Sequence, residues 1–144
     1  MKQHILIVTG TRGPPAGAEA IIRVALEDWH RENPAAIHVL EEGGAAGVDE
    51  IARHWAHGTL SRSDVRVFWR RHKADWDRFS TIDVRNLAGP VRNEQMVQWA
   101  LVEKRMVPDT DVSFLAFPGP ESRGTWDCVN RCKREGIPVK VVRL

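Results

Sequence analysis

Glycines crowd three places along this chain, and arginines and carboxylates stand beside them. Gly10-Thr11-Arg12-Gly13, Gly43-Gly44-Ala45-Ala46-Gly47, and Pro118-Gly119 with Gly124-Thr125 each follow a short apolar run and precede an amphipathic one. Glycine in such a place loses more backbone entropy than any other residue and packs nothing. The bare backbone must therefore serve a purpose. Gly-rich turns let backbone N–H groups approach an oxyanion, and a helix start adds the positive end of its dipole. Arg12 and Arg92 carry guanidinium groups suited to charge-assisted bonds with phosphate. Asp49, two residues past Gly47, is placed to bond a sugar hydroxyl, or simply to favour a helix N-terminus. Trp76 can stack on a planar ring, cover a ligand or anchor its own loop. Each glycine turn taken alone is also explained as a tight turn, and each arginine as a surface ion-pair partner.

Other chemistries are poorly supported. No Gly-Lys-Ser/Thr follows any glycine turn, and Gly10, Gly13 and Gly17 lack the GxGxxG spacing of a dinucleotide fingerprint. His30, His54, His57 and His72 are scattered, with no metal-ligand spacing. Cys128 and Cys132 lie four apart in a helical stretch and share a face. A disulfide across one helical turn is strained, so they read as buried, reduced thiols. The sequence calls for no metal and no cofactor.

The elements that would position these residues alternate. Lys2 to Thr9, Ile37 to Leu40, Val65 to Trp69, Val112 to Phe117 and Ile137 to Val142 read as strands. The first is apolar throughout, as expected of a strand buried on both faces. Helices are expected from Ala18 to Asn33, from Val48 to Trp55, from Pro90 through Leu101, and from Thr125 to Arg134, the last stopped by Gly136. Strand–helix alternation predicts an α/β Rossmann-like three-layer sandwich: five parallel strands in order 3-2-1-4-5, with helices on both faces. Every special residue then lies past the C-terminal end of a strand, where ligands bind in open α/β sheets. The polar stretch from Arg70 to Gly89 is long for a loop, and such loops are often functional.

At 144 residues the chain is read as one domain, 1–144. A net charge of +2 gives no field that calls for nucleic acid. The patch Arg66, Arg70, Arg71, Lys73 and Arg78 is the one feature in favour of it. No apolar run is long enough to cross a bilayer, and the N-terminus lacks a signal-peptide layout. A cytoplasmic protein without a membrane partner is the expectation.

In order along the chain, "VTGTRG", "GGAAGVDEIA", "KADWDR", "GPVRNEQM" and "AFPGPESRGTWDCV" resemble the YspA-like branch of the SLOG superfamily. That Rossmann-like group includes the DNA-processing protein DprA and the LOG phosphoribohydrolases. The resemblance covers nearly the whole chain and implies a nucleotide or nucleotide-derived ligand at the strand C-termini. It implies nucleotide-binding roles for Gly10, Thr11 and Arg12; for Gly43, Gly44, Gly47 and Asp49; for Asp75 and Trp76; for Arg92 and Asn93; and for Pro118, Gly119, Gly124 and Thr125. Glu42 stands where the family has His, an anion that argues against a multiply charged phosphate close by. Lys73 replaces the family's proline. LOG enzymes place a carboxylate three residues after the loop threonine, whereas Cys128 stands there in this chain and Asp127 lies one residue earlier, about 100° around the helix.

The leading reading is therefore a sensor, carrier or sequestering domain for a nucleotide derivative, with an ADP-ribose-like molecule among the candidates. The alternative is a hydrolase of an N-glycosidic or phosphate bond, with Asp49, Asp75 and Asp127 as its candidate catalytic carboxylates. A DprA-like nucleic-acid module is the second alternative. Trp-rich helix faces and the LOG likeness are consistent with a homodimer.

Overall fold

The computed structural model describes residues 2–62, 66–71, 88–120 and 122–144. Its central sheet begins with β1 (Gln3–Gly10), whose β-branched run suits a pleated surface buried on both sides. The chain then alternates through α1 (Ala18–Glu32), β2 (Ile37–Glu42), α2 (Val48–Arg62), β3 (Arg66–Arg71), α3 (Ala88–Met106), β4 (Thr110–Phe117), α4 (Arg123–Arg134) and β5 (Val139–Val141). All pairings are parallel, and the strand order is β3-β2-β1-β4-β5. This is the generic Rossmann-like architecture expected from the sequence, compatible in general with nucleotide-binding folds.

The period of two along the strands divides the core into two layers. Leu6, Val8, Leu40, Leu115 and Phe117 face α1 and α2, packing with Ile22, Leu26, Ala52 and Trp55. Ile5, Ile7, Val39, Phe114 and Ala116 face α3 and α4, packing with Met96, Val97, Val129 and Cys132. Cys128 and Cys132 are free thiols, both buried, as read from their spacing. Their mutual hydrogen bond and their burial hold the Cys128 thiol well above its ordinary range.

Boundaries shift where side chains do something the hydrophobic pattern does not record. The second strand runs on through Glu41 and Glu42, and both side chains are fully buried. The second helix continues past Trp55 to Arg62. The third begins at Ala88, so that Pro90 sits in its first turn, where its missing N–H costs nothing. At the end of α4, Gly136 has φ +74°, its N–H reaches the Lys133 carbonyl, and Ile137 N–H reaches that of Cys132. That pair of bonds is a Schellman stop.

Two tryptophans read on apolar helix faces are core residues. Trp29 and Trp55 are buried, their rings against buried His4 and His38 and half-buried His30, and the imidazoles of His30 and His38 lie 4.5 Å apart. Histidines scattered in sequence thus meet beside the sheet. Among the described residues no helix is long and apolar enough to cross a membrane, and no group of His, Cys, Asp and Glu is placed to hold a metal ion.

Candidate functional site

β1 and β4 are adjacent, yet the chain leaves β1 for the face of α1 and α2 and reaches β4 from the other face. Their C-terminal ends form the topological switch point, where loops diverge and leave a crevice. A cavity of about 750 Å³ opens there, within the range of small-molecule sites. The loop after β1 supplies Thr9 to Gly13. Ala45 and Asp49 come from the start of α2, Gly89, Pro90, Arg92 and Asn93 from the start of α3, and Ser122 to Thr125 with Asp127 from the start of α4.

The structure therefore brings Gly10, Thr11, Arg12, Asp49, Arg92, Asn93, Gly124, Thr125 and Asp127 to one cavity. Gly43, Gly44, Gly47, Pro118 and Gly119 do not line it; they form the wall behind. Asp75, Trp76, Lys73 and Arg78 lie outside the described residues. Ser122 and Arg123, within the stretch Gly119 to Thr125 expected at the cleft, line the cavity, and Thr9 joins them without a sequence signal of its own. Thr9 is disguised by its place at the end of an apolar strand.

The glycine-rich turn after β2 answers the question of its bare backbone in an unexpected way. Its amides are already engaged by the chain's own carboxylates. Asp49 Oδ2 accepts from Gly43 N–H and from Ala45 N–H, each at 3.2 Å. Gly44 N–H donates to Glu42 Oε1. What needs the missing side chains is close docking. A Cβ on Gly43 would overlap the Arg92 guanidinium, whose Nη1 donates to the Gly43 carbonyl at 2.7 Å. Gly47 has φ +78°, and a Cβ there would stand 2.5 Å from the carbonyl oxygens of Thr11 and Arg12. The start of α2 thus presses directly on the loop after β1, and Val48 N–H donates to the Thr11 carbonyl at 3.1 Å.

Glu42, the anion that stands where the resemblance has His, accepts from Gly44 N–H and lies near enough to Asp49 to raise its pKa. Arg53 lies 3.7 Å from Glu42 and offsets its charge.

Asp49 is the most perturbed carboxylate of the site. Its side chain is 3% exposed, and its pKa is pushed up to about 6, chiefly by burial; Arg92 and the two amides pull the other way. Its second oxygen, Oδ1, is buried without a hydrogen-bond partner, and so is Thr9 Oγ1. Two buried polar atoms on residues that line one cavity are each costly to leave unpaired, by about 1–3 kcal/mol.

Asn93 holds the other wall. Its amide donates to the Gly124 carbonyl and to Asp127 Oδ2, both at 3.1 Å, while its oxygen accepts from Arg92 Nε at 2.9 Å. Asp127 also accepts from Arg131 Nε at 2.9 Å, and Arg131 pairs with Glu94. Asn93 thus fixes Arg92 and ties α3 to α4. Asp127 is held in place as the ion-pair partner of Arg131.

This chain is 35% identical over 115 residues to the Gene 61 protein of Mycobacterium phage D29, a match that covers 80% of this chain and 78% of that protein. No family model matches the chain, and no solved structure does.

Proposed function

The chain belongs to the family of the Gene 61 protein of Mycobacterium phage D29, and we propose that it binds a nucleotide or nucleotide-derived ligand, an ADP-ribose-like molecule included, at the C-terminal rim of its sheet. The observation that carries this reading is the pairing of chemistries in one cavity. Arg12, Arg92 and Arg123 supply cations, while Thr9 and Asp49 supply buried polar atoms that lack partners. Phosphate suits the first set and a ribose hydroxyl the second. In this reading residues 1–144 act as one nucleotide-binding domain, and the order of its loops supports a place in the YspA-like branch of SLOG proteins. The domain serves as sensor, carrier or sequestering protein.

Arg92→Ala tests the assignment of charge to phosphate. The variant is expected to weaken AMP by about 1.5–3 kcal/mol, the worth of a charge-assisted bond, and adenosine far less. Calorimetric titration with both compounds measures this. Equal losses for the two would show that Arg92 matters only as the clasp on Gly43.

A second reading, hydrolysis of an N-glycosidic or phosphate bond, is favoured by Asp49 alone. A buried carboxylate titrating near 6 is suited to acid–base work close to neutral pH. The experiment that separates binder from hydrolase uses wild type and Asp49→Asn with nucleoside monophosphates and ADP-ribose, and measures released base, phosphate and ribose phosphate. The binder reading expects no product from either protein. Turnover in wild type that disappears in the variant would replace it with the hydrolase.

A further inference from the structure

The cavity at the switch point has no aromatic side chain among its described lining residues. The flat face of a base is most readily held by stacking. A second cavity, of about 790 Å³, is lined by Pro120, Ser122, Arg123, Trp126, Asp127 and Asn130. It shares Ser122, Arg123 and Asp127 with the first. The two cavities therefore adjoin at the first turns of α4, and we call them two lobes of one groove.

Arg123, Trp126, Asp127 and Asn130 fall at helical spacings of three, four and seven, which puts them on one stripe of α4. The indole of Trp126 is the aromatic group of this groove among the described residues. Arg143 lies over its ring, 5.7 Å from the centroid, and steadies it. Asn130, exposed beside it, has an amide able both to donate and to accept at the edge of a ring. The two lobes thus divide the chemistry. The first offers cations and unpartnered buried oxygens, and the second offers a ring surface with a polar edge.

We infer that the second lobe is the base subsite of the ligand, with Trp126 as its stacking platform, Asn130 as its edge contact, and the sugar phosphate held in the first lobe. This rests on the nucleotide reading given above. It gives Trp126, half-buried against the core layer of α3 and α4, a second role as a ligand-contacting residue. It also fixes the direction of the ligand: phosphate and ribose toward Arg92 and Asp49, base outward over α4.

The test compares AMP with ribose 5-phosphate, which carries the same sugar phosphate without a base. Both are titrated by calorimetry into wild type, Trp126→Ala and Trp126→Phe. Wild type is expected to bind AMP more tightly than ribose 5-phosphate. Trp126→Ala is expected to weaken AMP by roughly 5- to 150-fold, the range for one base stacked on an aromatic side chain, and to leave ribose 5-phosphate unchanged. Trp126→Phe, which keeps a ring, should recover most of the loss.

Binding of ribose 5-phosphate by wild type with no gain for AMP would overturn the base subsite while sparing the first lobe. So would equal losses of both probes in Trp126→Ala, which would mark Trp126 as a packing residue. Unchanged AMP affinity in Trp126→Ala would overturn it as well. Failure of wild type to bind either probe would overturn the nucleotide reading, and the subsite with it.

Discussion

Asp49→Asn is expected to gain stability over wild type as pH rises from 4 to 8, by about 2.5 kcal/mol across that interval. The folded protein holds a proton on Asp49 up to about pH 6, against 3.8 for the ordinary side chain. A carboxyl with a raised folded pKa contributes its stability fully below the unfolded value. It loses that contribution as pH rises through the folded one. Above pH 6 wild type therefore carries a buried, half-partnered anion that the variant lacks. The amide oxygen of Asn can still accept from Gly43 and Ala45, so the loop stays closed. Urea denaturation of both proteins at pH 4, 6 and 8 measures the difference. The buried imidazole of His4, its pKa lowered to about 4 by burial, and that of His38, lowered for the same reason, act with the opposite sign. Their neutral forms favour the fold above the ordinary His value, and that gain is lost as pH falls. Both histidines are present in the two proteins and cancel in the comparison. A difference that stays flat with pH would mean that Asp49 is not the buried titrating group described above. A gain in stability from removing this charge would also mark a residue kept at the fold's expense, as expected in a binding or catalytic site.

Gly47→Ala is expected to destabilise the protein by about 2–5 kcal/mol, a large effect for one methyl group. The left-handed backbone contributes about 1–2 kcal/mol. The overlap contributes about 1–3 kcal/mol more, because the new Cβ meets main-chain oxygens of Thr11 and Arg12 that have no rotamer to escape into. Relief requires the start of α2 to move away from the loop after β1, which separates Asp49 from Thr11 and Arg12. Nucleotide affinity should therefore fall together with stability. Gly13→Ala is the matched control. It lies in the loop after β1 on which α2 presses and lines the cavity, yet a Cβ there meets nothing within 4 Å. Chemical denaturation of the two variants checks the contrast. Equal, small changes in both would contradict the docking of α2 on the first loop.

The sequence was legible wherever period and punctuation agree. Apolar runs such as Ile5 to Val8 located the sheet, and strand–helix alternation set its order and put the special residues on one rim. Burial of charge was not legible. Glu41 and Glu42 read as the start of a loop because nothing in the pattern shows that Arg53, distant in sequence, lies beside Glu42. The glycines of the second turn are recognisable as necessary in the sequence, but the close packing they allow is not. They make room for Arg92 and for the first loop, while the amides between them bond Asp49 and Glu42. Asp49 was singled out for a ligand hydroxyl. Its two amide bonds depend on a loop geometry that residue spacing does not encode. Trp126 passed as one tryptophan among several, since stacking surfaces and core anchors share a residue type. Only its position beside the shared residues Ser122, Arg123 and Asp127 sets it apart.

The central claim is that the groove at the switch point holds a nucleotide. Native mass spectrometry of the purified protein, as isolated and after addition of AMP and ADP-ribose, tests it most directly. The account predicts a nucleotide adduct of one ligand per chain, released on denaturation and depleted in Gly47→Ala and Arg92→Ala. Spectra showing only the bare chain under every condition, or adducts equally abundant in wild type and both variants, would contradict it.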